Sequence, residues 1–569
     1  MTTRATGRAS RPRHPVRRAG LLVAALPLAA GLSAGLGGTA RAQSAGGVEQ
    51  AVAGQTTILQ RFTPPPKVGT VDLAVQDQRK RVPEDRAEQI RFTLRSVRLD
   101  GGGTVPLANI EPIWQDRIGQ QISLADLYRM AEAVDAAYVR AGYFSLTVVP
   151  VQDYATGHVS LRVYEGYVET VEIVSDIPGI EQRLEPYIRR ITAMRPIRIA
   201  EAERVLLLMA DLGGLAIDGL FIPPDRPSGG GKLRLEVGFT RQTGAVVFDN
   251  LGTSDVGPLE LSASYAVNDL LGLYETTSLV AVTVPNSPDE LALLQIGQDF
   301  PIGHDGLSAG YTFTHVTTRP SGEYRHDDIK IETVIGTAYL RYPLLRSQEQ
   351  SLFASFEVNL RNDDIDAMGT RVDRSRARWA TAELSYDRQL DKGAIEVSGS
   401  LNQGLGVDVS RPGVPSDFRF GRVDLDYGRP LGADFGLRIR AVGQYAPGPL
   451  PAATQVSLGG DPYGWAFDGG ALAGDSGAAT AIELSRDFET GLDALPMLTL
   501  TGFADYGVVW NNDVTPDQER GTLGSVGLGV SFMLAERAHV QLVAATPWDV
   551  EAGMDDPGTR VFFQVAVPF

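Results

Sequence analysis

Residues 561–569 read Val-Phe-Phe-Gln-Val-Ala-Val-Pro-Phe and close the chain on an aromatic carboxyl terminus. Val561, Phe563, Val565, Val567 and Phe569 form one apolar row, while Phe562, Gln564, Ala566 and Pro568 face the other way, because side chains alternate along a strand. An apolar outward row ending in an aromatic residue is what the closing strand of an outer-membrane β-barrel requires. An exported soluble protein can also end in a strand, so the assignment rests on what precedes it.

Upstream of this strand, back to Arg241, alternating segments of about 9 to 14 residues recur, separated by Gly, Asn, Asp and Pro. They begin near Gly244, Leu259, Tyr274, Leu291, Gly306, Ile329, Ser351, Asp373, Gly393, Phe418, Phe435, Ala478, Met497, Gly521, Ala538 and Val561, which makes sixteen. In 479–488, Ala479, Ala481, Glu483, Ser485 and Asp487 make a polar row suited to a wet lumen. Thr480, Ile482, Leu484, Arg486 and Phe488 make a row that mostly suits lipid. Ser351, Phe353, Ser355, Glu357 and Asn359 alternate in the same way with Leu352, Ala354, Phe356, Val358 and Leu360.

The other end of the chain is an export signal. Arg4, Arg8, Arg11, Arg13, Arg17 and Arg18 precede an Ala- and Leu-rich stretch, 21–36, and Ala40-Arg41-Ala42 offers small residues for cleavage before Gln43. The apolar run is interrupted by Gly31, Ser33 and Gly35 and is short for a helical membrane span. The 569-residue chain has no cysteine and a formal net charge of −17, so disulfides do not stabilise it and nucleic acid is not its expected partner.

Residues 43–88 carry Pro64-Pro65-Pro66 and the charged stretch 79–86, and are expected to form a poorly packed leader and linker with at most a short helix around 48–59. Between 89 and 166 the period changes from strand to helix and back. Ser123-Leu124-Ala125-Asp126 opens a helix with Leu127, Met130, Ala131, Val134, Ala137 and Tyr138 on its apolar stripe, Gly142 ends it, and strands follow at 144–149 and 159–163. Residues 167–240 repeat this alternation, with helices over 180–191 and 199–212 and strands at 168–174, 214–220 and 233–240. The expected architecture is a pair of α/β modules in the periplasm followed by a transmembrane antiparallel β-barrel of sixteen strands, 241–569, in the outer membrane.

The ordered residues Ile122-Ser123-Leu124-Ala125-Asp126-Leu127, Ala137-Tyr138-Val139-Arg140-Ala141-Gly142-Tyr143, Pro150-Val151-Gln152-Asp153 and Val163-Tyr164-Glu165-Gly166-Tyr167 resemble the first polypeptide-transport-associated (POTRA) module of the ShlB/FhaC/HecB family. These are the outer-membrane transporters of two-partner secretion, in the superfamily that contains BamA. Val205-Leu206-Leu207-Leu208-Met209 and Asp211-Leu212-Gly213-Gly214 are similar to the second module. Val456-Ser457-Leu458-Gly459-Gly460 and Leu472-Ala473-Gly474-Asp475-Ser476-Gly477 resemble the two ends of that family's long loop, here at about 448–477. In family members the loop folds into the lumen and carries a Val-Arg-Gly-Phe/Tyr tip, whose arginine pairs with the aspartate of a Phe-x-Asp-x-Gly wall segment. Here the wall segment is Phe503-Ala504-Asp505-Tyr506-Gly507, but the tip is Gly464-Trp465-Ala466-Phe467. Trp465 supplies one indole N–H and no charged fork, so the usual lock is put in doubt, with Arg486 or water as alternative partners for Asp505.

The resemblance implies translocation of a secreted partner polypeptide, an adhesin, haemolysin or other β-helical protein, from periplasm to cell surface, with no cofactor, no catalytic residue and no metal. Outer-membrane lipid and the barrel-assembly machinery are the other implied partners, and a closed barrel is expected to work as a monomer. Tyr138, Tyr143 and Gln152 in the first module and Gly213 and Gly214 in the second are the candidate client contacts. Gly464, Trp465, Phe467, Asp475 and Asp505 are the candidate loop and wall residues of the barrel. The alternatives are an outer-membrane assembly factor, a polymer exporter and a passive porin. The six histidines show no metal-ligand spacing, and Asp363, Asp364 and Asp366, which could bind Ca²⁺, read as an exterior turn, as does the acidic stretch 513–519.

Overall fold

A computed structural model of the chain describes residues 68–75, 81–222, 224, 228–321, 328–409, 411–512 and 520–569, together with Gln55 and Arg61. The expected signal peptide, most of the leader and the acidic stretch 513–519 lie outside the described residues.

The chain enters with strand β1 (Val71–Val75) and helix α1 (Glu84–Gln89), then builds the first module from β2 (Arg91–Thr93), β3 (Ser96–Gly101), α2 (Pro112–Gln115), β4 (Gln121–Ser123), α3 (Leu124–Arg140), β5 (Ser145–Val148) and β6 (His158–Glu165). Helix α3 starts where it does because Ser123 Oγ accepts the Asp126 N–H at 3.1 Å while the Asp126 carboxylate accepts the Ser123 N–H at 2.9 Å, a capping box that satisfies two N-terminal donors. That same backbone bond holds the Asp126 carboxyl below its ordinary range. Leu124, Leu127, Met130, Val134 and Tyr138 then bury one stripe against Phe92, Leu94, Leu161 and Val163. Gly142, at φ 87°, ends the helix in a conformation that a side chain disfavours. The sheet order is β3-β6-β5.

The second module comprises β7 (Tyr167–Val174), α4 (Ile180–Thr192), α5 (Ile199–Ala210), β8 (Leu215–Ile222) and β9 (Gly230–Phe239). Leu184, Tyr187 and Ile191 of α4 and Val205, Leu206 and Met209 of α5 share one core with Ile217, Leu233 and Leu235 of the sheet. The sheet order is β1-β8-β9-β7, so β1, from the segment expected to be poorly packed, is a parallel edge strand of this module, with Val71 opposite Ile217. The leader expectation is corrected a second time by Gln55 and Arg61, which are helical and buried inside the barrel.

Sixteen antiparallel strands close the barrel: β10 (Gln242–Asp249), β11 (Glu260–Asn268), β12 (Thr276–Thr283), β13 (Leu291–Ile302), β14 (Leu307–Thr318), β15 (Lys330–Arg346), β16 (Gln350–Ala367), β17 (Thr370–Leu390), β18 (Gly393–Asp408), β19 (Arg419–Gly432), β20 (Phe435–Tyr445), then, after a small luminal hairpin of β21 (Val456–Leu458) and β22 (Leu472–Gly474), β23 (Ser476–Leu492), β24 (Leu495–Trp510), β25 (Arg520–Leu534), β26 (Ala538–Val550) and β27 (Arg560–Pro568). Every strand start read from alternation lies within three residues of the observed one, the largest difference being Asp373 against Thr370. The alternation also assigns the faces correctly: Ala479 and Ala481 are 6% and 3% exposed, Ile482 and Leu484 49% and 47%.

The seam is antiparallel pairing of Ala245–Asp249 with Pro568–Gln564. Mutual 2.9 Å backbone bonds between Gly244 and Phe569 extend it at one end, and the Asn250 amide extends it at the other by bonding the backbone of Val561 and Phe563. Strands β16 and β17, with 18 and 21 residues, exceed the roughly 9–11 residues a bilayer crossing needs. This corrects the expected exterior turn at Asp363, Asp364 and Asp366. The ladder continues through them, Asp363 turns inward to Arg361 and Thr333, and Asp364 and Asp366 pair with Arg376 and Arg371 on the outer face.

Candidate functional site: the lumen, its loop and its periplasmic mouth

The inward rows of the strands carry amides and hydroxyls that bond one another across the wall. Asn359 Oδ1 accepts the Thr337 hydroxyl at 2.8 Å, Asn359 Nδ2 donates to Thr381 at 3.3 Å, and the Thr381 hydroxyl donates to Asn402 at 2.7 Å. A lining of this kind offers both donors and acceptors to a peptide backbone without presenting it to lipid.

Parts of the same chain fill this lumen. Arg61 lies 2.8 Å from Glu260 and 3.5 Å from Asp249, all three buried. The Gln55 amide accepts the Thr333 hydroxyl at 2.7 Å and donates to Thr318. The segment between β20 and β23 leaves the outer mouth and turns back inside, where β21 and β22 pair with each other. Its ends are gathered by Asp475, which is fully buried and takes Arg411 bidentately at 2.6 and 3.0 Å. The same carboxylate accepts the N–H of Leu450 at 2.9 Å, the Gln455 amide at 3.0 Å and the N–H of Asn512 at 2.8 Å. Deeper in, Arg440 bridges Asp461 of the loop, at 2.8 Å, to Glu483 of the wall.

The tip is seated by apolar packing. Gly464 turns at φ 119°, Phe467 N–H closes back on the Gly464 carbonyl at 2.8 Å, and Phe467 is buried with Leu458, Val509 and Leu523. The Trp465 ring packs on Phe503 and Phe562, with centroids 5.7 and 5.8 Å apart, and its backbone N–H reaches Asp505 at 3.4 Å. Asp505 takes the Ser525 N–H at 3.1 Å and the Ser525 hydroxyl. Arg486, the suggested charged partner, stands over Phe435 and Phe488, away from Asp505. Arg560 reaches the loop from the last strand, 3.5 Å from Asp468 and from the Ala466 carbonyl.

At the periplasmic mouth the second module sits on three barrel turns. Arg183 pairs bidentately with Asp269, both bonds 2.7 Å, and lies over the Tyr274 ring at 3.6 Å. Its hydrogen bonds hold the Asp269 carboxyl below its ordinary range. Arg190 meets Asp305 at 3.2 Å, and Arg346 pairs with Asp211 at 2.8 and 3.0 Å.

The candidate client residues are scattered among these features. Tyr138 is fully buried, its hydroxyl donating to Glu165 at 3.1 Å and accepting the Gly103 N–H at 3.3 Å, so it serves the module core. Gly213 and Gly214 belong to the joint: Gly213 N–H donates to the Tyr274 carbonyl at 3.0 Å, and a Cβ on either glycine would stand 2.5–2.6 Å from neighbouring atoms of Tyr274 or Phe239. Gln152 clasps the backbone of Ser160 at 2.7 and 3.0 Å and so extends the pairing of β6 where β5 stops, and Tyr143 bridges to Arg198 of the next module. The sequence did not single out Arg411, Arg440, Arg560 or Ser525. Arg440 carries a readable signal, a charge on the inward row of its strand, but its loop partner becomes visible only once the loop is folded in.

A model of the haemolysin secretion/activation protein ShlB/FhaC/HecB matches residues 236–532, and one of the ShlB-type POTRA domain matches residues 92–166. The chain belongs to the ShlB/FhaC/HecB family. It is 25% identical over 456 residues to the hemolysin transporter protein ShlB of Serratia marcescens, covering 75% of this chain and 77% of that protein. It is 22% identical over 545 residues to the outer membrane transporter CdiB of Escherichia coli, covering 84% and 82%. In fold it is similar to the structures of CdiB from Escherichia coli, with TM-score 0.69, 18% identity and 92% of this chain and 99% of that one covered, and from Acinetobacter baumannii, with TM-score 0.62, 15% identity and 94% and 100% covered. As a ShlB-family member the protein is an outer-membrane translocation channel, its barrel in the membrane and its modules in the periplasm. This chain seats its loop tip by an aromatic cluster, the Trp465 backbone N–H and Arg560.

Proposed function

We infer that the client is a secreted partner polypeptide of the adhesin or haemolysin kind, captured unfolded by the modules and passed outward through the barrel by a single copy of this chain. The observation that carries this reading is the nature of the lumen's contents: Arg61, Gln55 and the loop 446–475 are held by ion pairs, hydrogen bonds and ring packing, and among the described residues the strands of the loop hairpin form a sheet with each other and none with the barrel wall. Such contents can withdraw without breaking the wall. A folded domain does not fit past them, so the cargo is extended or nascently folding chain, and folding outside gives the movement its direction.

Capture is by strand addition to a module sheet. Asp135 caps the edge of β5 by accepting the Thr147 N–H at 2.8 Å, and β1 covers the edge of β8. Besides β1 and β5, the terminal strands of the two sheets are β3 and β7, whose outer edges pair with no strand among the described residues. Tyr143 and Gln152, on the same module as β3, stay in the proposal as contacts that shape this surface, Gln152 by fixing β6 beneath it. The closed seam from Gly244 to Asn250 favours this reading over an assembly factor, which depends on a labile seam.

Secretion of a candidate exoprotein encoded beside this chain, in cells with the gene intact, deleted, or carrying the edge-strand change Val97→Pro in β3, tests the reading. Secretion should vanish on deletion and fall strongly with the proline. Equal secretion in all three strains rejects it for that client.

A further inference from the structure

On the outer face of β17, Arg374, Arg376 and Arg378 occupy successive outward positions above Ala380, Ala382 and Leu384, which continue the same row toward the periplasm. One outward position below Arg378, Ala380 is opposite Gln403 of β18, and Gln403 is opposite Arg419 of β19, so Arg419 lies just beneath the arginine row. Phe418 and Phe420 are buried inward, so Arg419 between them points out. The row marks the height at which the lipid-facing band gives way to the outer headgroup layer.

These cations are not equally engaged. Arg376 is paired with Asp364 at 2.5 Å. Arg378 donates only to neutral groups among the described residues, Asn362 Oδ1 at 2.8 Å and the carbonyls of Arg361 and Ala377 at 3.1 and 2.8 Å. Arg374 is exposed, and Arg419, 67% exposed, has Asp417 only at 3.7 Å. Arg378 and Arg419 thus stand two strands apart and one outward position apart in height, about 12 Å between backbones, with the Arg378 side chain turned toward β16.

Directly below them the wall is hollowed. A groove of about 470 Å³ is lined by Phe356, Ala382, Leu401, Gly421 and Tyr445, with Gln403 and Arg419 at its upper end. Gly421 opens it, since an outward side chain there would fill its floor. Apolar walls that open sideways to the bilayer suit acyl chains, and a cationic rim suits phosphate, to which guanidinium binds with a planar fork. On a chain with net charge −17, a local cationic row at membrane height reverses the prevailing sign where an anionic headgroup would sit.

We propose that this outward face of β17–β20 is a binding site for a phosphorylated, multiply acylated glycolipid of the outer leaflet, with Arg378 and Arg419 on its phosphates and an acyl chain in the groove beneath. The site stands outside the lumen and is independent of the client assignment. Native mass spectrometry of the full-length barrel in detergent, titrated with lipid A, with enzymatically dephosphorylated lipid A and with inorganic phosphate, tests it. Lipid A should be retained at least tenfold better than its dephosphorylated form, and phosphate alone should neither bind nor displace it. Arg378→Gln with Arg419→Gln should remove the phosphate preference. Gly421→Leu should lower retention of lipid A without changing any charge, and its Cβ has room, the nearest atom being 3.6 Å away. Heat-modifiable migration identifies the folded barrel in each variant, and the exposed Arg419→Gln alone serves if the others do not fold. Equal retention of the two lipids, displacement by phosphate, or retention unchanged by both the arginine and the glycine variants overturns the proposal.

Discussion

Asp505 on the barrel wall accepts the backbone N–H of Trp465 at the loop tip, 3.4 Å away, while the Trp465 ring lies between Phe503 and Phe562. At Trp465 the loop therefore makes two separable contacts with the wall, one polar and independent of the side chain, one apolar and dependent on it. Trp465→Ala should release the ring packing, worth about 3–5 kcal/mol for a buried aromatic, and leave the N–H bond intact. Trp465→Phe should keep most of the packing. Single-channel recording in planar bilayers checks this: the alanine variant should open far more often than the parent, the phenylalanine variant little more. Similar traces for all three would show that the ring does not hold the loop.

Asp505→Asn tests the polar half. The isosteric amide puts an NH₂ where one carboxylate oxygen now takes N–H or O–H donors, and an unmet buried donor costs about 1–3 kcal/mol. Ser525, bonded to the same carboxylate, loses support as well. The expected result is a more mobile tip, read as faster cleavage by an added protease at a site engineered beside Phe467, with barrel migration unchanged. Protection equal to the parent would remove Asp505 from the anchoring role.

Arg61 joins the leader to the lumen wall through Asp249 and Glu260. Arg61→Ala leaves two buried carboxylates without this cation, and breaking a buried pair costs about 3–5 kcal/mol. The leader should leave the lumen more often, raising bilayer conductance, and Glu260→Gln combined with Arg61→Ala should restore part of the closed time by removing one stranded charge. A double variant no quieter than Arg61→Ala would argue that the carboxylates are not what Arg61 serves.

These contacts separate what the sequence discloses from what it hides. The barrel was readable because each strand states its own faces: Ile482 and Leu484 alternate with Ala479 and Ala481 whatever lies across the lumen. Helix α3 was readable because its capping pair, Ser123 and Asp126, lies three positions apart. Tyr138 looked like a contact and is core because Glu165, 27 positions on, takes its hydroxyl. Gly213 and Gly214 looked like a module surface and are a joint because Tyr274 belongs to the barrel. Arg61 is 188 positions from Asp249, and no local pattern ties a cation in a Pro-rich leader to a carboxylate on a strand.

The joint between second module and barrel has a pH signature. Arg183 lowers the Asp269 pKa, so this pair contributes stability that is complete above the unfolded aspartate's pKa of about 3.9 and disappears as pH falls through the lower folded value. The module should stay docked throughout the neutral range and loosen only in strong acid. Arg183→Gln, costing about 1 kcal/mol at this partly exposed pair, should move that loosening to higher pH, followed by the distance between spin labels on α4 and on the turn 303–306. An unmoved midpoint would assign docking to Arg190 and Arg346 instead.

The leader strand β1 gives the last prediction, because its position is set by a close approach at Gly69. Its N–H donates to Asp211 at 2.7 Å, its carbonyl accepts from Arg346, and a Cβ there would stand 2.4 Å from the backbone of Ala210. Helix α5 cannot yield at that point without disturbing the Arg346–Asp211 pair, so Gly69→Ala should push the leader away and free the edge of β8 that β1 now covers. Hydrogen exchange should rise for the β8 amides that β1 engages, with β9 still protected by its own pairing to β7 and β8. If the freed edge also accepts client, secretion should hold or improve; if β1 is a structural strand of the module, both β8 and β9 should exchange faster and secretion should fall. Unchanged exchange in β8 would mean that the leader accommodates the methyl group and is not fixed by Gly69.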